Sequence, residues 1–354
     1  MKVFSATVVF LLLFGMSFLP DIDTVFAYDA DDEEELFIES SGPVPIRNQM
    51  PLYLFYLQMA PERASVTERN KFLVNADYTV SNVTVSAFTP ASSLYEIQID
   101  AEVHRITVDL RYGIYDNLEI GLEIPYIGMC SGYLDDFVEG FEDGIGARTP
   151  RSRERQGSNE FDYMVKYDNR HLIKEKSSKK GLGDVSLNAK YQILKESWYN
   201  PWPNISLRSA VKFPTATESD LVGSGEMDYG VGLLIDKNFF ERFFLYLGGN
   251  VVFIEKPGVL DILDIDDKIY SYMLALEYFF TERFSVVTQV TGNTTPYPES
   301  STNPLDNDAH DYLLGVNYRL KERSDISWRF AVVENISAAS SPDVSFYTGL
   351  NWEF

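Results

Sequence analysis

Residues 105–126 read RITVDLRYGIYDNLEIGLEIPY. In the first part Ile106, Val108, Leu110, Tyr112 and Ile114 take every second position, with Thr107, Asp109 and Arg111 between them. After YDN at 115–117, Leu118, Ile120, Leu122, Ile124 and Tyr126 repeat the alternation against Glu119 and Glu123. A period of two sends alternate side chains to opposite faces of a strand. The stretch therefore predicts a hairpin with one apolar face, one charged face and a tight turn.

The same text recurs along the chain. KFLVNADYTV (71–80) sets Phe72, Val74, Ala76, Tyr78 and Val80 against Asn75, Asp77 and Thr79; DVSLNAKYQI (184–193) sets Val185, Leu187, Ala189, Tyr191 and Ile193 against Asn188, Lys190 and Gln192. ISLRSAVKF (205–213) sets Ile205, Leu207, Val211 and Phe213 against Arg208 and Lys212, and further copies lie near 227–237, 242–254, 268–280, 283–294, 309–320, 325–335 and 343–354. That gives about twelve strands of roughly ten residues, the length that crosses a bilayer at a tilt. Connections alternate between short ones (115–117, 238–241, 281–283, 321–324, with KESWYNPWP longer) and long ones (83–97, 128–182, 215–226, 255–267, 295–308, 336–342). Tight periplasmic turns and extended outer loops have this rhythm. The expected fold is all-β: a transmembrane antiparallel β-barrel of about twelve strands over residues 71–354, with aromatics at the strand ends (Trp198, Tyr199, Trp202; Phe239, Phe240, Phe243, Phe244; Tyr278, Phe280) at the two interfaces.

One stretch departs from the rule. From 95 to 103 the apolar positions are odd (Tyr95, Ile97, Ile99, Ala101, Val103), and from 106 they are even. A β-bulge near His104 and Arg105 would produce this, with Tyr95–Val103 extending above the membrane rim.

The ends fit an exported membrane protein. MKVFSATVVFLLLFGMSFLP followed by TVFAYDA predicts a signal peptide over 1–27. Beyond it no apolar run reaches the roughly 18 residues of a helical span. The chain closes with VSFYTGLNWEF, in which Val344, Phe346, Leu350, Trp352 and Phe354 alternate with polar positions, Thr348 breaking the row. The expectation is that this last strand pairs with the first, leaving no free edge. Trp352 and Phe354 resemble the C-terminal signal of bacterial outer-membrane proteins, which implies the barrel-assembly machinery as a partner. Outer-membrane lipids and lipopolysaccharide follow from the location, the outer membrane of a Gram-negative bacterium. The formal charge of −23 argues against a nucleic-acid partner.

The polar faces carry the candidate lumen chemistry. Asp77, Asp109, Glu119 and Glu123, with Arg111 among them, fall on the first three strands; Lys190, Arg208 and Lys212 on the next two; Arg319 and Arg329 near the end. Acidic and basic residues then occupy different arcs of the wall. Such arcs either put a field across an aqueous passage or pair across a narrow, filled interior. Residues 28–70 have no clear period and form a periplasmic N-terminal segment. Its Pro-rich part, 43–66, reads either as a plug, with Arg47, Asn48 and Gln49 meeting lumen carboxylates, or as a disordered tail. Loop 128–182 is expected to be mobile, folding inward or standing outward.

The inventory for catalysis is thin. His104, His171 and His310 are the only histidines, and Cys130 is the only cysteine, with no histidine or second thiol beside it in sequence. Cys130 reads as structural. His310-Asp311 and His104 sit at the outer rim, where a barrel-embedded lipid hydrolase would place a catalytic pair, but no spacing establishes hydrogen-bond reach. GLGD and GSGEMD lack a Walker-type lysine, and DILDIDDK lacks the glycine and terminal Glu of a calcium loop. No catalytic residue, metal or cofactor is expected.

GLGDVSLNAKYQIL (181–194), AVKFPTATESDLVGSGEMDYGVG (210–232), YGIYDNLEIGLEIPY (112–126) and IRNQMPL (46–52) resemble a bacterial outer-membrane family catalogued as domain of unknown function 3187. It is similar to outer-membrane proteins linked with phenol meta-pathway degradation. The resemblance spans roughly 43–354, though KFPTAT lacks the glycine expected after its last Thr. It implies a channel-like outer-membrane protein passing small solutes, hydrophobic or aromatic ones among them. The alternatives are a non-conducting structural or adhesive barrel and, third, the lipid hydrolase.

Overall fold

The computed structural model describes residues 39–87, 94–134, 160–197, 202–297, 303–320, 325–336 and 340–354. The expected signal peptide, residues 28–38, Trp198, Tyr199, the 321–324 turn and residues 135–159 of loop 128–182 lie outside them. One unit, Ser40–Gly132 with Glu160–Phe354, holds the barrel; of the other, Met1–Glu39 with Tyr133–Asn159, only Glu39, Tyr133 and Leu134 are described.

The strands are β1 (Phe72–Ala87), β2 (Tyr95–Tyr115), β3 (Leu118–Cys130), β4 (Asp162–Tyr167), β5 (Arg170–Glu175), β6 (Lys179–Leu182), β7 (Val185–Leu194), β8 (Asn204–Phe213), β9 (Asp228–Phe239), β10 (Phe243–Phe253), β11 (Lys268–Phe279), β12 (Phe284–Asn293), β13 (Ala309–Arg319), β14 (Ile326–Asn335) and β15 (Val344–Glu353). β1 to β3 and β7 to β15 form a closed antiparallel ring of 12 strands, each paired with the next, β3 with β7 and β15 with β1. Closure runs from Leu73 opposite Glu353 to Asn82 opposite Val344, and Phe72 and Phe354 exchange both backbone hydrogen bonds at 2.8 and 2.9 Å. No sheet edge is left open at the chain end, as period two predicted for the last strand.

β4, β5 and β6 lie within the connection expected to be a loop. β4 pairs with the outer part of β2, Tyr95 opposite Tyr167, and β6 with the outer end of β3. Their apolar periods, Tyr163 and Val165 in β4, are too short to stand out from loop text.

The phase change on β2 has another cause than a bulge. Residues 97–112 pair with β1 without a break, and the shift in the β2–β3 register falls at Gly113/Tyr115. Odd-numbered residues of β2 face inward along its whole length. Below the rim they are polar (Arg105, Thr107, Asp109), and Ile106 and Leu110 are exposed on the outside; above it they are apolar and buried (Ile97, Ile99, Ala101, Val103). The pattern inverts because the outside changes from hydrocarbon to water. β1 inverts between Val80 and Asn82, opposite His104 and Glu102, and β3 between Tyr126 and Gly128, opposite Ile106 and His104. Those residues mark the outer membrane boundary.

Below it, an exposed apolar belt that would be anomalous in water circles the barrel, with Ile120, Leu187, Leu207, Leu233, Leu274 and Leu350 each 41–50% exposed. Aromatics close the short-turn end, Phe239, Phe240, Tyr278 and Phe280 outward. Phe244 departs from the expected girdle: it is buried on the inner face beside Tyr246 and Phe279.

Candidate functional site

The chain from Ser40 to Thr67 lies inside the ring. It enters at the short-turn end, where the Ser41 and Gly42 amides donate to Glu277 (both 3.2 Å) and Arg329 donates to the Ser41 carbonyl at 2.6 Å. Val44 exchanges two 3.0 Å hydrogen bonds with the Gln289 side chain, and Arg47 pairs with Glu123. MPLYLFYL (50–57), with a tight turn at Pro51–Tyr53, then packs into an apolar cap at the long-loop end. Wall residues Ile97, Ile99 and Ile127 join Leu260, Leu263 and Tyr297 of the outer connections around it, and the Tyr297 hydroxyl donates to the Leu52 carbonyl at 2.8 Å.

The chain returns through the polar half. The Leu57 amide donates to Asp228 at 2.7 Å, Ala64 to Asp236 at 2.5 Å and Thr67 to Glu119 at 2.6 Å. At the centre Glu62 accepts from Arg208 at 2.7 Å, from Lys190 at 3.0 Å and from Arg111. Lys190 and Arg111 also reach Glu119 at 2.9 and 3.2 Å, and Arg111 reaches Asp109 at 2.8 Å. Burial alone raises a carboxyl group's pKa, but the fields of Arg111, Lys190 and Arg208 outweigh it and hold Glu62 well below the ordinary carboxylate range. The wall thus presents carboxylates to backbone amides and cations to carbonyls of an aperiodic chain, which satisfies a polypeptide that makes no ladder of its own.

Two small cavities flank this inner chain. One of about 60 Å³ lies toward β10 to β13 beside Asn48, Leu57, Asn250 and Asp311; one of about 30 Å³ lies toward β3 and β7 beside Glu62, Arg111 and Lys190. Each has room for a handful of water molecules.

Residues 29–354 match the family described as protein of unknown function DUF3187. The chain belongs to that family. Among solved structures it is similar to the COG4313 outer membrane channel from Pseudomonas putida F1, at 12% identity and a TM-score of 0.54, with 84% of this chain and 100% of that one covered. Two further likenesses have lower scores: the NanC porin (9% identity, TM-score 0.43, 79% and 98% covered) and the KdgM porin in complex with disordered oligogalacturonate (8%, 0.41, 80% and 99%). The first bears on the fold, a transmembrane barrel. No curated protein matches the chain.

Of the residues expected to line the lumen, Asp77, Asp109, Glu119, Lys190, Arg208, Lys212 and Arg329 are buried on the inner face, and Arg111 and Glu123 join them in ion pairs. Arg319 is at the short-turn mouth, its guanidinium over the Phe279 ring at 5.6 Å. The separate acidic and basic arcs do not hold: Arg105 joins the expected Arg111 among the carboxylates of β2 and β3, while Asp228 and Asp236 on β9 border the basic strands. Lys212 pairs with Asp228 at 2.9 Å and Asp184 at 3.4 Å. Arg47 meets the wall carboxylate of Glu123. Asn48 and Gln49 do not: Asn48 donates to the Ser340 carbonyl at 2.9 Å, and Gln49 to the Arg47 carbonyl at 3.1 Å. Gln49 is satisfied within its own segment and Asn48 by the β14–β15 connection, so neither amide is turned to a lumen carboxylate.

The rim histidines lie apart, His104 on β2 beside Glu102 and His310 on β13 beside Tyr272. His310 faces outward, its Nδ1 3.0 Å from the Tyr272 hydroxyl, while Asp311 beside it on β13 is turned to the cavity within. Neighbours on a strand point to opposite faces. His171 is exposed on β5. Cys130 departs from expectation: distant in sequence, His104 lies beside it in space, together with Glu102.

Proposed function

We propose that this chain is a gated outer-membrane channel of a Gram-negative bacterium, in which residues 43–66 act as a plug and small solutes cross passively when the plug yields. One observation carries the reading: a separate strap of chain runs through the lumen between the wall's own side chains. Small structural barrels fill themselves from the wall. Here Glu62, Ala64 and Thr67 of the strap meet polar or charged wall side chains, which with the strap displaced would line an aqueous bore below the apolar cap. The cap at the long-loop end supplies an apolar outer vestibule, which favours solutes with hydrophobic or aromatic surface. The COG4313 channel likeness agrees at the level of fold.

A second reading, a non-conducting structural barrel, draws on the density of the plug's contacts. Single-channel recording on protein lacking residues 28–66 separates the two. The channel reading expects frequent, large conductance steps where the full-length chain is quiet, and liposome swelling that admits aromatic solutes sooner than sugars of equal size. Unchanged conductance after the deletion would remove the plug.

A further inference from the structure

Three side chains of different chemistry converge on the outside of the barrel at the outer membrane boundary. Glu102 and His104 stand two apart on β2, and Cys130 lies directly across from Glu102 on β3. Carboxylate oxygen, imidazole nitrogen and Sγ all lie within 4.8 Å of one another. His104 Nε2 is 2.8 Å from Glu102 Oε1, and its other ring nitrogen, Nδ1, is 2.7 Å from the Tyr78 hydroxyl on β1. Gly132, at φ 63°, folds back over the cluster; a Cβ there would fall 2.3 Å from Glu102 Oε2. That turn leaves the Glu102 side chain only 2% exposed while His104 keeps 27%.

We propose that Glu102, His104 and Cys130 form a binding site for a borderline-soft divalent metal ion of the zinc type, with a fourth position open to water. The donor set selects the ion. A thiolate with an imidazole suits Zn²⁺ and its neighbours, whereas Mg²⁺ and Ca²⁺ take oxygen ligands. Metal–ligand bonds of about 2.0–2.3 Å place tetrahedral donors about 3.3–3.7 Å apart, so the group closes on an ion with small side-chain movements. Tyr78 supplies the outer-shell contact that a ligating histidine needs: with Nε2 on the metal, Nδ1–H donates to the Tyr78 oxygen and fixes the ring. A buried carboxylate at a membrane boundary is also a place where a cation is favourable.

A cysteine nucleophile with a histidine base fits less well. Both ring nitrogens are already engaged, by Tyr78 and by Glu102. The ion would tie β2 to β3 where the long connection begins. The assignment is independent of whether the lumen conducts.

Cobalt(II) titration of the full-length protein in detergent micelles tests it. The expected result is one equivalent bound with a near-ultraviolet thiolate-to-cobalt charge-transfer band, displaced by Zn²⁺. Cys130→Ser should abolish the band, and Glu102→Gln or His104→Ala should each weaken Zn²⁺ binding. Tyr78→Phe should weaken it about tenfold or more. His310→Ala, on the same outer face beside Tyr272, should leave it unchanged. Heat-dependent gel mobility checks that every variant is a folded barrel. Absence of the band in folded wild-type protein, or binding that survives C130S and H104A, would overturn the site.

Discussion

Glu62 sets one carboxylate against Arg111, Lys190 and Arg208 inside the barrel. Glu62→Gln keeps the shape and removes the charge, leaving three buried cations to share Glu119 and Asp109. Breaking a buried pair from one side costs about 3–5 kcal/mol, so E62Q is expected to loosen residues 57–67, seen as faster proteolysis of the inner chain and a higher open probability in bilayer recordings. The pH dependence follows from the sign of the shift. A carboxyl group held lower in the folded state than its ordinary value near 4.3 contributes its full stabilisation above that pH and loses it as pH falls through the depressed value. Wild-type and E62Q recordings should therefore differ undiminished from pH 8 to 5 and converge only in stronger acid; convergence already at pH 6 would contradict the Glu62 lock. The cations of this lock, Arg111, Lys190 and Arg208, were legible as polar positions in period-two strands. Glu62 was not, because PERASV (61–66) belongs to no strand, and no period says which way a side chain points in an aperiodic chain. Asn48 and Gln49 were misread for the same reason.

At the scale of the strand, the inversion of pattern at Val80/Asn82 and His104/Ile106 locates the membrane boundary more sharply than strand length does. The charges on either side of it should be tolerated differently. Leu274→Lys, on the exposed face in the middle of β11, should cost about 2–4 kcal/mol of folding in lipid vesicles, whereas Gln98→Lys, outward on β2 above the boundary, should stay within about 0.5 kcal/mol. Equal penalties in a denaturant titration of vesicle-inserted protein would mean that the upper part of β2 is in hydrocarbon too. A second expectation concerns the junction of inner chain and wall. A Cβ on Gly113 would lie 2.1 Å from the Glu68 carbonyl oxygen and 2.5 Å from that of Thr67, both rigid backbone. Gly113→Ala should push residues 67–70 off β2, lowering the melting temperature and speeding amide exchange at Asn70, whose amide donates to the Gly113 carbonyl at 2.8 Å. Strands with a lipid face were readable because hydrocarbon forbids charge on one side over ten residues. β4 and β5 were not, since water on their outer side imposes no comparable rule.

The whole molecule combines two structures held by different forces. The ring is a continuous ladder of backbone hydrogen bonds from β1 around to β15, and no residue of 40–66 contributes a rung. The inner chain is held by side chains, through ion pairs below and the apolar cap above. If the two are separable, the chain lacking residues 28–66 should still insert, still show the β-sheet circular dichroism signal and still migrate as a heat-modifiable barrel, while melting at a lower temperature because the wall's charges have lost their partners. A filled structural barrel behaves otherwise. Its interior is its core, and removing that core should abolish insertion altogether, since carboxylates and guanidinium groups that had been paired would face an empty bore. The two outcomes separate before any current is recorded. Insertion of the shortened chain with intact sheet signal supports a plug resting in a self-sufficient wall, and loss of insertion assigns residues 40–66 to the core of the fold. The first outcome is expected because the wall's polar inner face can be hydrated by water entering the vacated lumen, whereas an apolar core of the same size could not.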